Sequence, residues 1–126
     1  MDSDALRADF SNALNQMREA LAIPAENDVI KAGCIQYFEF SFELAWKTIK
    51  RTAEEEGLEC TSPKSALKTA FGSGWITEED LWLEMLSARN MIAHTYNAAE
   101  ALKIHTRLPV YLETMEALAR TLAARE

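Results

Sequence analysis

Glycine and proline are scarce in this chain, four and three among 126 residues, and they fall where helices would start or stop. No apolar run reaches about 18 residues, so no segment is expected to span a bilayer. The opening MDSDALRADF lacks the basic region and apolar core of a secretory signal. The two cysteines, Cys34 and Cys60, are too few for a disulfide framework and have no partners at metal-ligand spacing. They are expected as reduced thiols of a cytoplasmic protein, with no metal and no cofactor. Positive charge is also short: 13 Lys and Arg face 20 Asp and Glu, for a net charge of −7. That argues against a generic basic surface for nucleic acid, but leaves room for a small basic pocket on an acidic body. What remains is a globular composition, 48% hydrophobic and 26% charged, and residues 1–126 are expected to form a single domain.

Helical periodicity runs through most of it. Leu6, Phe10, Leu14, Met17 and Leu21 form a ladder that Pro24 ends. Asn27 or Asp28 then caps a second helix, unbroken to about Glu56, with Gly57 as its stop. Its stretch VIKAGCIQYFEFSFELAWKTIK places Ile35, Phe38, Phe42, Ala45 and Ile49 on one face, with Tyr37, Ser41, Leu44 and Thr48 beside it. This arc is roughly 200° wide, about twice what a surface helix needs. The helix is therefore central in a bundle or also faces a second subunit. Glu39, Glu43 and Lys47 follow the remaining polar strip, with Glu43 and Lys47 in the favourable order for an i, i+4 pair. A third, short helix is capped by Ser62 with Pro63 at its first position, and breaks at Gly72 and Gly74. TEED, from Thr77 to Asp80, resembles a capping box opening a fourth helix through Leu81, Trp82, Met85 and Leu86. Asn97 caps a last helix through Leu108 to Leu122, which Pro109 should bend or divide. No alternation of the strand type is present. The expected fold is all-α, a four- to five-helix up-and-down bundle.

The fourth helix ends in SARNMIAHTYN, which holds one of only two histidines. Arg89 lies in an apolar stripe, costly unless it is paired or functional, although snorkelling or stacking on Trp82 would also accommodate it. Asn90 and His94 share another face, i, i+4 apart. On a straight helix Arg89 and His94 diverge by about 140°. They can address one substrate atom only if the helix ends before His94 or a second subunit supplies one of them. Arginine with histidine, without acidic metal ligands, suits a phosphodiester: Arg stabilises charge on the phosphate and His moves protons near neutral pH. RNA carries its own nucleophile, the 2′-hydroxyl. Ser87 with His94 lacks an orienting acid nearby, so serine hydrolysis is disfavoured.

RNMIAHTY reads Arg-x4-His-x-Tyr with Asn after the Arg, and together with the aromatic YFEFSFELAWKTIK helix it resembles HEPN domains. The closer resemblance is to the branch described as nucleotidyltransferase substrate-binding proteins, whose members pair with a minimal nucleotidyltransferase (MNT). It covers nearly the whole chain. It implies a homodimer of helical bundles with Arg and His of both chains gathered in a cleft. It also implies metal-free RNA cleavage with Arg89 on the phosphate and His94 on the proton, Asn90 as a polar helper and Glu43 and Lys47 at the rim. Tyr96 matches the tyrosine that the MNT partner adenylylates in toxin–antitoxin members. AMP there would bring bulk and negative charge to the cleft.

Two readings stay open. One is an RNase toxin neutralised by its MNT partner; the other is a non-catalytic subunit that presents RNA or a nucleotide to the transferase. The intact Arg-x4-His-x-Tyr set favours the first, and the acidic charge slightly favours the second. A purely structural bundle is the remaining possibility. GSGW at Gly72 is not followed by a spaced aspartate pair, so any transferase is another chain.

Overall fold

The computed structural model describes residues 2–125; Met1 and Glu126, the ends of the expected domain, lie outside the described residues. It is an all-α bundle. Helix α1 spans Ser3–Leu21, and Asp2 caps it by accepting from the Ala5 amide at 2.8 Å. Helix α2, Asp28–Glu55, takes its cap from Asn27, which accepts from Ile30 at 3.0 Å. The two lie antiparallel. Ser3 at the start of α1 donates to Glu55 at the end of α2, and Cys34 near the start of α2 approaches the Ala20 carbonyl near the end of α1.

Helix α3 covers Pro63–Gly72. Ser62 and Ser65 satisfy each other's backbone amides in a full capping box, with Pro63 in the first turn, where its missing N–H costs nothing. Gly57 and Gly74 adopt φ of +78°, a conformation that side chains resist, and so mark the exits of α2 and α3. Helix α4 spans Glu79–His94. The expected capping box at Thr77–Asp80 does not form. The helix starts one residue later, so the cap position falls to Glu78, whose side chain makes no cap bond.

The last expected helix is divided. Asn97 caps α5, Ala98–Leu102, as anticipated. A 3₁₀ turn, Lys103–Arg107, follows, and α6 spans Leu108–Ala123. Pro109 sits in the first turn of α6, so the chain tightens upstream of it rather than breaking at it.

Helix α2 is the central element: it packs against every other helix and the 3₁₀ turn. Its position accounts for the wide apolar arc. Phe38, Phe42, Ala45 and Ile49 are wholly buried, as the periodicity requires. Phe38 meets Tyr111 of α6 at 5.1 Å between ring centroids, and Phe42 meets Trp82 of α4 at 6.2 Å. Each such side chain, fully buried, contributes about 1.5–3 kcal/mol. Thr48 and Thr52 also lie inside, where their hydroxyls donate to the Leu44 and Thr48 carbonyls one turn back. Cys34 and Cys60 are buried free thiols, and burial pushes Cys34 up. Two large apolar side chains of α2 remain outside, Val29 and Phe40. No helix among the described residues is long and apolar enough to cross a membrane.

Candidate functional site

The packing of Phe42 on Trp82 brings the polar strip of α2 against the C-terminal half of α4. There Arg89 is half-buried, and its guanidinium donates to Glu43 Oε2 at 3.2 Å and to Asn90 Oδ1 at 3.1 Å. Pairing rather than snorkelling or stacking on Trp82 therefore accounts for a cation in the apolar stripe. Glu43 is also bridged by Lys47 at 3.4 Å, the i, i+4 partner. The structure thus gathers four of the sequence-derived candidates, Arg89, Asn90, Glu43 and Lys47. A guanidinium has five N–H donors. Two are engaged here, and the rest remain for an oxyanion.

His94 and Tyr96 stand apart from that group. Helix α4 continues through His94, and Thr95 closes it by donating to the Met91 carbonyl at 2.9 Å. The option of a helix ending before His94 is removed. Within one chain, Arg89 and His94 leave the helix about 140° apart. The imidazole is exposed in the last turn. Tyr96 follows in the loop before α5 and is fully exposed, the most solvent-accessible of the large apolar and aromatic side chains among the described residues. Asn97 uses its side chain as the α5 cap, which holds the backbone just after Tyr96.

One acidic neighbour was not singled out as a site residue. Glu39 sits one turn before Glu43 on α2, half-buried. Burial pushes its carboxyl up, and the charge of Arg89 only partly offsets that. Its signal in the sequence is the same i, i+4 strip that marked Glu43 and Lys47. A second missed feature supports α4 from below: Arg107 grips Glu84 at 2.7 and 3.0 Å, and the Tyr111 hydroxyl donates to Glu84 at 2.6 Å. These residues come from α4, the 3₁₀ turn and α6, so nothing local in the sequence links them.

Comparison with known proteins bears on this arrangement. A family model described as nucleotidyltransferase substrate binding protein like matches residues 7–124. A curated relative from Haemophilus influenzae, named "Probable ribonuclease HepT", is 29% identical over 90 residues, which are 68% of this chain and 62% of that relative. The match thus spans less than two thirds of the relative's length. A crystal structure of a protein from Thermus thermophilus superposes with a TM-score of 0.79 at 34% identity, over 89% of this chain and 98% of that one.

Proposed function

The chain belongs to the nucleotidyltransferase substrate-binding protein-like family, and on that premise we propose that it is the HEPN component of a two-gene HEPN/MNT system, a metal-independent endoribonuclease toxin neutralised by its nucleotidyltransferase partner. The observation that carries this reading is the anchored Arg89. Glu43 and Asn90 fix its direction while leaving donors free, which is what a group awaiting a phosphate needs. The ribonuclease name of the Haemophilus relative supports the same chemistry.

In this reading the 2′-oxygen of RNA attacks the adjacent phosphorus. The bond to the 5′-oxygen of the next nucleotide breaks, leaving a 2′,3′-cyclic phosphate. Arg89 stabilises the charge on the non-bridging oxygens. His94 takes the proton from the 2′-hydroxyl or supplies one to the leaving 5′-oxygen. The divergence of Arg89 and His94 on one helix is relieved by a homodimer, in which the Arg of one copy faces the His of the other. Phe40, half-exposed on the outside of α2 beside this strip, suits such a contact. Tyr96 is the adenylylation site: its exposure lets a partner's active site reach the hydroxyl. The setting is the cytoplasm, and the domain is the whole chain, 1–126.

The second reading, a non-catalytic subunit presenting a nucleotide or RNA to the transferase, has the net charge of −7 in its favour. The deciding experiment is RNA cleavage by purified, unmodified protein in EDTA, beside Arg89→Ala and His94→Ala. Cleavage by the parent and its loss in both variants is the expected result. A folded, unmodified protein that leaves RNA intact transfers the assignment to the substrate-binding reading.

A further inference from the structure

Beside the Arg89 strip, α2, α4 and α5 enclose an open groove of about 410 Å³, within the range of small-ligand sites. Its floor is apolar, made by Ile35, Ile92, Ala101 and Leu102, and its polar rim is acidic, Asp28 and Glu39. The groove lies one helical turn from the candidate site along both α2 and α4. Glu39 is one helical turn from Glu43, which anchors Arg89, and Ile92 is one turn from Arg89 itself. Glu39 makes no hydrogen bond among the described residues, although the charge of Arg89 reaches it. A half-buried carboxyl with empty acceptor positions is an incomplete polar site.

The chemistry of the groove narrows its occupant. An acidic rim repels phosphate, and an apolar floor suits a flat ring. The pairing of a phosphate-directed arginine with an adjacent anionic, apolar slot matches the two halves of a nucleotide. We propose that the groove is a base-reading subsite, taking the base that flanks the phosphate held by Arg89, with Glu39 accepting a hydrogen bond from an exocyclic amino group. Adenine, cytosine and guanine carry that group. Uracil lacks it, and its one base-edge donor lies between two carbonyls that a carboxylate repels. Glu39 is then the specificity-determining residue. This inference rests on the ribonuclease reading for the identity of the substrate, but its own claim concerns base preference.

The test uses the full, unmodified chain with two matched sets of short oligonucleotides. In one set a single ribonucleotide linkage is flanked by each base in turn and cleavage is followed. In the other that sugar is 2′-O-methylated, so nothing is cut and binding is followed by fluorescence anisotropy. The expected result is a preference of about tenfold or more for amino-bearing bases over uracil, in binding and in cleavage, which Glu39→Gln and Glu39→Ala largely erase while the helical signal stays intact. Preferential binding without cleavage supports the subsite and removes the ribonuclease reading. Cleavage indifferent to the base overturns the subsite and leaves the ribonuclease reading in place. Absence of both binding and cleavage overturns both. If the Glu39 variants change the oligomeric state and not the base preference, the groove is covered by a second copy of the chain, and the proposal is wrong.

Discussion

Glu43 of α2 holds Arg89 of α4 at 3.2 Å, and the same carboxylate takes Lys47 at 3.4 Å. One acceptor shared by two cations fixes the direction of the arginine without using up its donors. The pair is partly exposed, so its share of stability is small, below about 1 kcal/mol. Under the proposed ribonuclease function its effect on cleavage is larger, because a mobile guanidinium would meet the phosphate in fewer productive orientations. Glu43→Gln is expected to lower the cleavage rate by roughly tenfold while leaving the melting temperature nearly unchanged. Arg89→Lys should not restore what Arg89→Ala loses, since a single ammonium cannot reproduce the planar fork. Rates and melting curves on the same preparations separate the two effects. Equal losses in both would make Glu43 a structural residue.

Tyr96 makes a cleaner case for chemistry without structure. The ring is fully exposed, and the adjacent turn is held by Asn97 and by Thr95 Oγ1, which accepts from the Asn97 amide at 3.1 Å. Tyr96→Phe is therefore expected to leave the fold, the melting temperature and RNA cleavage as they are. Under the proposed function it should abolish incorporation of AMP when the protein is incubated with the proposed nucleotidyltransferase partner and ATP. Intact-mass spectrometry reads the outcome directly, and an AMP adduct on the Phe variant would send the assignment to another residue.

Much of this fold could be read from residue order, because its rules are local. The caps at Asn27, Ser62 and Asn97, the Pro63 start and the Gly57 and Gly74 exits each depend on residues within a few positions. The buried face of α2 followed from one helical period. What could not be read has two causes, near-equal local alternatives and contacts between distant residues. Thr77 and Glu78 compete for one cap over a single residue, and spacing does not decide between them. The Glu84–Arg107–Tyr111 network joins three elements that only the tertiary fold brings together. In the candidate site, Arg89 and His94 were legible as residue types at a spacing. That Arg89 is anchored by Glu43, and that α4 runs on through His94, needed the packing of α2 against α4.

That packing is itself testable. Phe42 is wholly buried, and its ring stands 6.2 Å from Trp82 and 6.0 Å from Phe38. Phe42→Ala opens a cavity at the α2–α4 contact and is expected to cost about 3–5 kcal/mol. Phe42→Leu keeps most of the volume and should cost less than half of that. Urea unfolding gives both values. Because Glu43 follows Phe42 directly, the Ala variant should also lose more activity than Phe42→Leu under conditions where both remain folded.

The Glu84–Tyr111 contact gives α4 a pH signature of its own. Tyr111 is buried, and burial, followed by its hydrogen bond to the Glu84 carboxylate, pushes the phenol from 10.0 up to about 12. A raised phenol favours the neutral form in the folded state. Its contribution is therefore complete below about pH 10 and is lost as pH rises towards about 12, where the unfolded chain ionises first. Glu84 behaves in the opposite sense: the hydrogen bonds from Arg107 and then Tyr111 hold its carboxyl down, so its contribution is present above the ordinary carboxylate range and fades in acid. Tyr111→Phe should cost about 1–2 kcal/mol at neutral pH, the loss of one hydrogen bond to a charged group. Between pH 10 and 12 the parent should lose stability faster than the variant, by up to about 1.4 kcal/mol per pH unit. Summed over that window the loss exceeds the neutral-pH difference, so the difference should shrink and then reverse near pH 12. Denaturant titrations of both proteins across that window measure it, and parallel curves would mean that Tyr111 ionises equally readily folded and unfolded.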